Sequence, residues 1–211
     1  MLVGHSIAGA ELSAVGTLHP DRIAGLVYLE AGYPYAFDNG RGPTMKEFYA
    51  IQLPEFPTPG NSDLVSFRAL QTWYAGVDGY RIPDDEFRQL WDSSLDGRVG
   101  KPRDAAGMKT VMTVLMDPKK FADFPAVPAL VIFALPHVGE AWLTNATDPS
   151  AREAANVYFR NVDALTEKQA TALEEGVPGV RVVRLRGHHY IFISNETDVL
   201  GEMHAFLLGL K

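Results

Sequence analysis

The sequence predicts an α/β protein built on a mostly parallel sheet. Two observations carry this. Nearly continuous apolar runs, Ile23–Leu29 and Val127–Ala134, suit parallel strands covered on both faces. Segments with apolar residues at helical spacing alternate with such runs, as in strand–helix–strand units. The 211 residues make one domain, or one domain carrying a sub-domain. A chain of this length buries roughly 70% of its unfolded surface, so a sizeable core is possible.

The elements follow in order. Met1-Leu2-Val3 is a short apolar run that stops at Gly4. From Ala8 onward, Leu12, Val15 and Leu18 recur at helical spacing. His19-Pro20 ends that helix, because a residue before proline avoids the helical region. Ile23–Leu29 is the next strand. Residues 32–125 are rich in proline, glycine and aromatics and read as a helical insertion. Helices fit Met45–Gln52, Asp63–Tyr74, Asp84–Ser93 and Arg103–Met116, and no strand pattern stands out there. Alternation then returns with the strand Val127–Ala134, helices at Ser150–Arg160 and Thr166–Gly176, and a last strand at Val180–Leu185. Asn195 is a good N-cap for the final helix, and Asp198 favours its first turn. The apolar face of that helix is Val199, Leu200, Met203, Phe206, Leu207 and Leu210. Residues 1–31 and 126–211 are thus expected to build the sheet, with residues 32–125 inserted between them.

Composition narrows the function. Hydrophobic residues are 46% and charged residues 21%, near the globular average. With no cysteine, disulfide scaffolds, thiolate metal sites and cysteine nucleophiles are excluded. No histidine pair has metal-ligand spacing backed by carboxylates, so no metal is expected. Nineteen Lys+Arg against 26 Asp+Glu give a net charge of −7. Such a chain is a poor binder of nucleic acid or anionic membrane. No apolar stretch reaches the ~18 residues of a membrane span, and nothing reads as a signal peptide. The expected location is the cytoplasm.

Gly4-His5-Ser6-Ile7-Ala8-Gly9 lies between a strand and a helix, where a nucleophile elbow belongs. The turn is so tight that side chains two before and two after the serine would collide. Gly4 and Ala8 meet that need, although Ala8 departs from the strict G-x-S-x-G pattern. The turn lifts the Ser6 hydroxyl above the sheet and aims the Ile7 backbone N–H where an oxyanion would form. The bland alternative is a serine that caps a helix.

Three segments carry a resemblance: Gly4–Gly9, Leu26–Tyr33 (Leu-Val-Tyr-Leu-Glu-Ala-Gly-Tyr) and His188–Glu196 (His-His-Tyr-Ile-Phe-Ile-Ser-Asn-Glu). In these the chain resembles bacterial α/β-hydrolase-fold esterases. The resemblance covers almost the whole chain and matches the C-terminal part of that fold, from its fifth strand onward. It implies a partial α/β-hydrolase fold with residues 32–125 as a lid. It also implies a serine hydrolase acting on small-molecule carboxylic esters through an acyl-enzyme, without cofactors.

A serine hydroxyl needs a base, which in this fold follows the last strand. His188 and His189 both stand there, and the family's His-His-Tyr pattern selects His189. Among the other histidines, His5 flanks the serine, His19 ends a helix, His137 follows a strand and could line the cleft, and His204 lies on the last helix. The acid must orient the base. In this fold it usually follows the strand after the insertion, where Glu140 comes next; some members place it after the preceding strand, at Glu30. The resembling esterases carry an acid at the latter point. A carboxylate closing an apolar run also needs a partner. Glu30 is therefore favoured, with Glu140, Asp163 and Asp123 behind it. His5, Tyr33 and Tyr35 are expected to face the substrate, and the lid aromatics Phe37, Phe48, Tyr49, Trp73, Tyr74 and Trp91 either line an apolar pocket or pack the lid.

The implied fold has strands before the serine strand, and a loop after its third strand supplies a second oxyanion donor. None of these is in the sequence, so the expectation is a truncated product with impaired activity, an upstream piece carried on a separate chain, or an upstream piece left out of the sequence. Losing one such donor typically costs about 10²–10³ in rate. The serine strand would then be an exposed edge that pairs with another copy, giving a homo-oligomer. The alternatives to an esterase are a non-catalytic binding module and one half of a split hydrolase.

Overall fold

A computed structural model describes residues 1–52, 55–96, 98–103, 107, 110, 111, 113, 116 and 121–210. In chain order the described elements are β1 (Leu2–His5), α1 (Ala8–Leu18), β2 (Leu26–Leu29), α2 (Met45–Ala50), α3 (Phe67–Asp78), α4 (Asp84–Phe87), β3 (Trp91–Ser93), β4 (Val99–Pro102), β5 (Ala129–His137), α5 (Ala141–Thr144), α6 (Pro149–Gly176), β6 (Arg181–Gly187), α7 (Ile191–Ser194) and α8 (Glu196–Gly209). The main sheet has the order β1-β2-β5-β6, and every pairing in it is parallel. Val27 pairs with Val3 on one side and Leu130 on the other.

The continuous apolar runs have a simple cause. Successive strand side chains point to opposite faces. Leu26, Tyr28, Val131 and Phe133 belong to one buried cluster, and Val27, Leu29, Leu130 and Ile132 to another. Leu12 of α1 and Leu173 of α6 join the first cluster, whereas Ile191 of α7 and Val199 of α8 join the second. Both faces of β2 and of Ala129–Leu135 in β5 are buried, so those positions are all apolar. Close approach of α1 to the chain beyond β2 depends on Gly9, where a Cβ would lie 1.9 Å from the Ala31 carbonyl oxygen. Gln169 of α6 is buried and donates to the carbonyls of Gly32 and Phe37, tying the post-β2 loop to that helix.

Contacts divide the chain into two compact units. The first comprises Met1–Gln52, Val111–Val138 and Tyr158–Lys211 and holds the parallel sheet. The second comprises Leu53–Thr110 and Gly139–Val157. Residues 32–52 and 111–125, read from sequence as insertion, fall in the first unit. In the second, Phe56, Trp73, Tyr74, Phe87, Trp91 and Trp142 pack on one another, with Trp73 and Tyr74 ring centroids 4.8 Å apart. Among the described residues, no helix is long and apolar enough to cross a membrane.

Several elements differ from expectation. The run Ile23–Leu29 is a strand only over Leu26–Leu29. The helix expected over Asp84–Ser93 stops at Phe87, and Trp91–Ser93 pairs antiparallel with Val99–Pro102. Ser94 and Asp96 tie the intervening turn: the Ser94 hydroxyl bonds to Asp96 Oδ1 and the Ser94 N–H donates to the Arg98 carbonyl. Most of Arg103–Met116 lies outside the described residues. The helices at Ser150–Arg160 and Thr166–Gly176 are one helix, because no glycine or proline interrupts them. Asn195 does not cap through its side chain; its Nδ2 donates to the Arg186 carbonyl instead. Leu200 and Leu207, assigned to the apolar face of α8, are exposed.

Candidate active site

Ser6 directly follows β1 and precedes α1. It has a left-handed backbone (φ 53°), which L-residues rarely adopt. The turn works as the small residues suggest. A Cβ on Gly4 would lie 3.0 Å from the Ala8 Cβ and 2.9 Å from Leu12 Cδ1. Ile7 is the N-cap residue of α1, so its N–H is among the amides a helix start leaves without an intrahelical partner.

Glu30 follows β2 with φ 48°, and its side chain is fully buried. Its Oε1 accepts the Ala134 N–H at 2.6 Å, and its Oε2 accepts the Tyr33 hydroxyl at 2.8 Å. His189, in the loop between β6 and α7, brings Nδ1 to Glu30 Oε2 at 3.2 Å and Nε2 to Ser6 Oγ at 3.1 Å. A carboxylate only accepts, so Nδ1 carries the proton and donates to Glu30. In the neutral ring, Nε2 is then the acceptor facing the serine hydroxyl. A hydroxyl bonded to an imidazole that a carboxylate orients is the arrangement that activates a nucleophile.

His137, the last residue of β5, approaches the same Glu30 oxygen as His189. Its Nε2 is 3.7 Å from Glu30 Oε2. Its Nδ1 donates to Asp163 Oδ1 at 2.7 Å and its backbone N–H to the same oxygen at 3.0 Å. Burial pushes the Glu30 carboxyl up, but the bonds and charges of His137 and His189 outweigh it and lower it to about 2. Burial pushes His137 down, yet the bond to Asp163 and the Glu30 carboxylate raise it to about 9. Tyr33 is pushed well above its ordinary value by burial and then by the Glu30 charge.

The other expected site residues fall as follows. His5 donates from Nε2 to the His189 carbonyl at 2.9 Å, and its ring centroid lies 4.7 Å from that of His189. Burial and the neighbouring His189 lower its pKa. Tyr33 and Tyr35 are buried in the core cluster, with Tyr33 engaged by Glu30. Of the rival acids, Glu140 is the N-cap of α5 in the second unit, Asp163 binds His137, and Asp123 lines a surface recess with Arg41 and Glu175. His188 donates its backbone N–H to Ser194 Oγ. Sequence reasoning missed the place of His137 against Glu30. Its position after the strand where this fold usually carries the acid was the available signal. Among the described residues, no group of three or more acidic or histidine side chains could hold a metal.

No protein-family model matches the sequence, and no curated protein matches it. Solved structures do. An E-2-(acetamidomethylene)succinate hydrolase aligns at 18% identity and TM-score 0.54, over 98% of this chain and 65% of that one. A pyrethroid hydrolase aligns at 22% identity and TM-score 0.46, over 99% and 70%. A probable hydrolytic enzyme from Pseudomonas aeruginosa PAO1 aligns at 15% identity and TM-score 0.46, over 99% and 62%. The chain thus spans about two thirds of the first of these. Its parallel sheet, flanking helices and likeness to that hydrolase identify it as part of an α/β-hydrolase fold, running from the strand before Ser6 to the C-terminal helix.

Proposed function

We propose that the chain is a serine hydrolase of carboxylic esters that works through an acyl-enzyme. The observation that carries this reading is the line Ser6 Oγ–His189 Nε2 (3.1 Å) and His189 Nδ1–Glu30 Oε2 (3.2 Å). The left-handed backbone at Ser6 supports it, because strain of this kind clusters at functional sites. Ser6 Oγ attacks the ester carbonyl carbon and its proton passes to His189 Nε2. The carbonyl electron pair moves onto oxygen, where the Ile7 N–H donates to it. Collapse of the tetrahedral intermediate breaks the ester C–O bond, and the leaving alcohol takes the proton from His189. Water then repeats the sequence on the acyl-Ser6 ester and frees the acid. Glu30 fixes the His189 tautomer and stabilises the imidazolium in both halves. His5 and Tyr33 hold His189 and Glu30 in place through their hydrogen bonds.

Hydrolysis of p-nitrophenyl acetate and butyrate, beside Ser6→Ala, tests the reading, with a fluorophosphonate probe as a second measure of Ser6 activation. Loss of turnover and labelling in the variant is the expected result. Equal rates in both proteins would instead favour a hydrolase-like binding module or one half of a split hydrolase.

A further inference from the structure

We propose that His137, held by Asp163, is a positioning residue of the serine site whose imidazolium balances the charge of Glu30. The inference rests on Ser6, His189 and Glu30 being the reacting set. Glu30 is fully buried, and a buried carboxylate needs compensation. Three of its partners bring no net charge: the Ala134 N–H, the Tyr33 hydroxyl and His189, which must be neutral to act as base. His137 Nε2, at 3.7 Å, brings the positive charge. Asp163 accepts both the ring Nδ1–H and the backbone N–H of His137 on one oxygen, which fixes the ring with Nε2 toward Glu30. The directions already described agree with this, since His137 is raised to about 9 and Glu30 lowered to about 2. The titratable groups around the pair are Asp163 on α6, Tyr33 and Tyr35 after β2, and His189 before α7, with His5 against His189.

The consequence is a pH effect. With His137 charged, part of the Glu30 field is spent on a fixed cation. Without that cation, Glu30 favours the His189 imidazolium more strongly. The acidic limb of the Ser6 reaction then moves to higher pH. A residue that merely filled space would lower the rate without moving the limb.

The test joins nitrogen-detected imidazole NMR with the pH profile of fluorophosphonate labelling, on wild type, His137→Gln and Asp163→Asn. At neutral pH the wild-type His137 ring is expected to carry protons on both nitrogens. Asp163→Asn is expected to move its deprotonation to lower pH. Both variants are expected to move the acidic limb of labelling upward, His137→Gln by more. A neutral His137 ring in wild type at neutral pH overturns the proposal, and so does an unmoved limb in folded variants. If His137→Gln does not fold, the wild-type spectrum and Asp163→Asn still decide. If wild type is not labelled at all, the hydrolase reading fails, and the NMR spectra alone decide the charge of His137.

Discussion

Ser6 and Glu30 occupy matching places on neighbouring strands. Each directly follows the paired residues His5 and Leu29, and each has a left-handed backbone, with φ 53° and 48°. Among the described residues they are the two non-glycine residues with positive φ. The two strands end together and turn sharply. Both turns hold a side chain at the same edge of the sheet, where His189 meets them from the loop after β6.

The strain at Ser6 is measurable. A left-handed conformation costs an L-residue about 1–2 kcal/mol and glycine little. Ser6→Gly and Ser6→Ala both remove the hydroxyl, so their difference isolates the backbone. The glycine variant is expected to be more stable by about 1 kcal/mol in urea unfolding, with both inactive. Equal stability would contradict the strain at this turn.

Glu30→Gln keeps the shape and removes the charge. Its amide can present its nitrogen to His189 and favour the wrong tautomer. Turnover is expected to fall by about 10³–10⁴-fold, with binding of substrate less affected. Steady-state kinetics check this; a loss of less than tenfold would mean that Glu30 does not orient the base.

Much of this was legible in the sequence, and the gaps have physical causes. Burial on both faces wrote Leu26–Leu29 and Ala129–Ala134 as unbroken apolar runs. The elbow showed through its small residues, and Glu30 through a charge closing a buried run. The choice of His189 over His188 came from resemblance, because two adjacent histidines cannot be told apart by pattern. The hairpin of Trp91–Ser93 and Val99–Pro102 was missed because such short strands carry no periodicity. The His137–Asp163 pair was hidden for a related reason. Asp163 lies between Arg160 and Thr166, in the gap left between two expected helices that are one continuous helix.

The second unit predicts its own pH dependence. Asp78 ends α3 and is nearly buried, and burial together with the charge of Glu140 raises its pKa to about 6. Its carboxylate also meets the negative end of the helix dipole. A folded-state value above the unfolded one means ionisation is harder in the folded chain. Asp78 therefore leaves stability untouched below its unfolded value of 3.8 and subtracts from it as pH rises through about 6. Asp78→Asn is expected to be more stable than wild type at neutral pH, by on the order of 3 kcal/mol, and no more stable in acid. Thermal melts at both pH values decide this; equal gains at both would contradict the assignment.

The edge of the sheet gives a prediction about assembly. Among the described residues β1 pairs with β2 alone, and its Leu2 and Val3 are 37% and 45% exposed. We propose that two copies associate through this strand, since an apolar edge invites pairing. Gel filtration at micromolar concentration is expected to show an oligomer, and Val3→Lys a monomer. A monomeric wild type would count against the edge.

The most direct measurement of the central claim is p-nitrophenyl butyrate turnover by the purified chain beside Ser6→Ala. Turnover that disappears in the variant, with Ser6 carrying the fluorophosphonate label in wild type, is what the Ser6–His189–Glu30 line predicts. Turnover that survives the substitution unchanged, or its absence from both proteins together with an unlabelled Ser6, would contradict it.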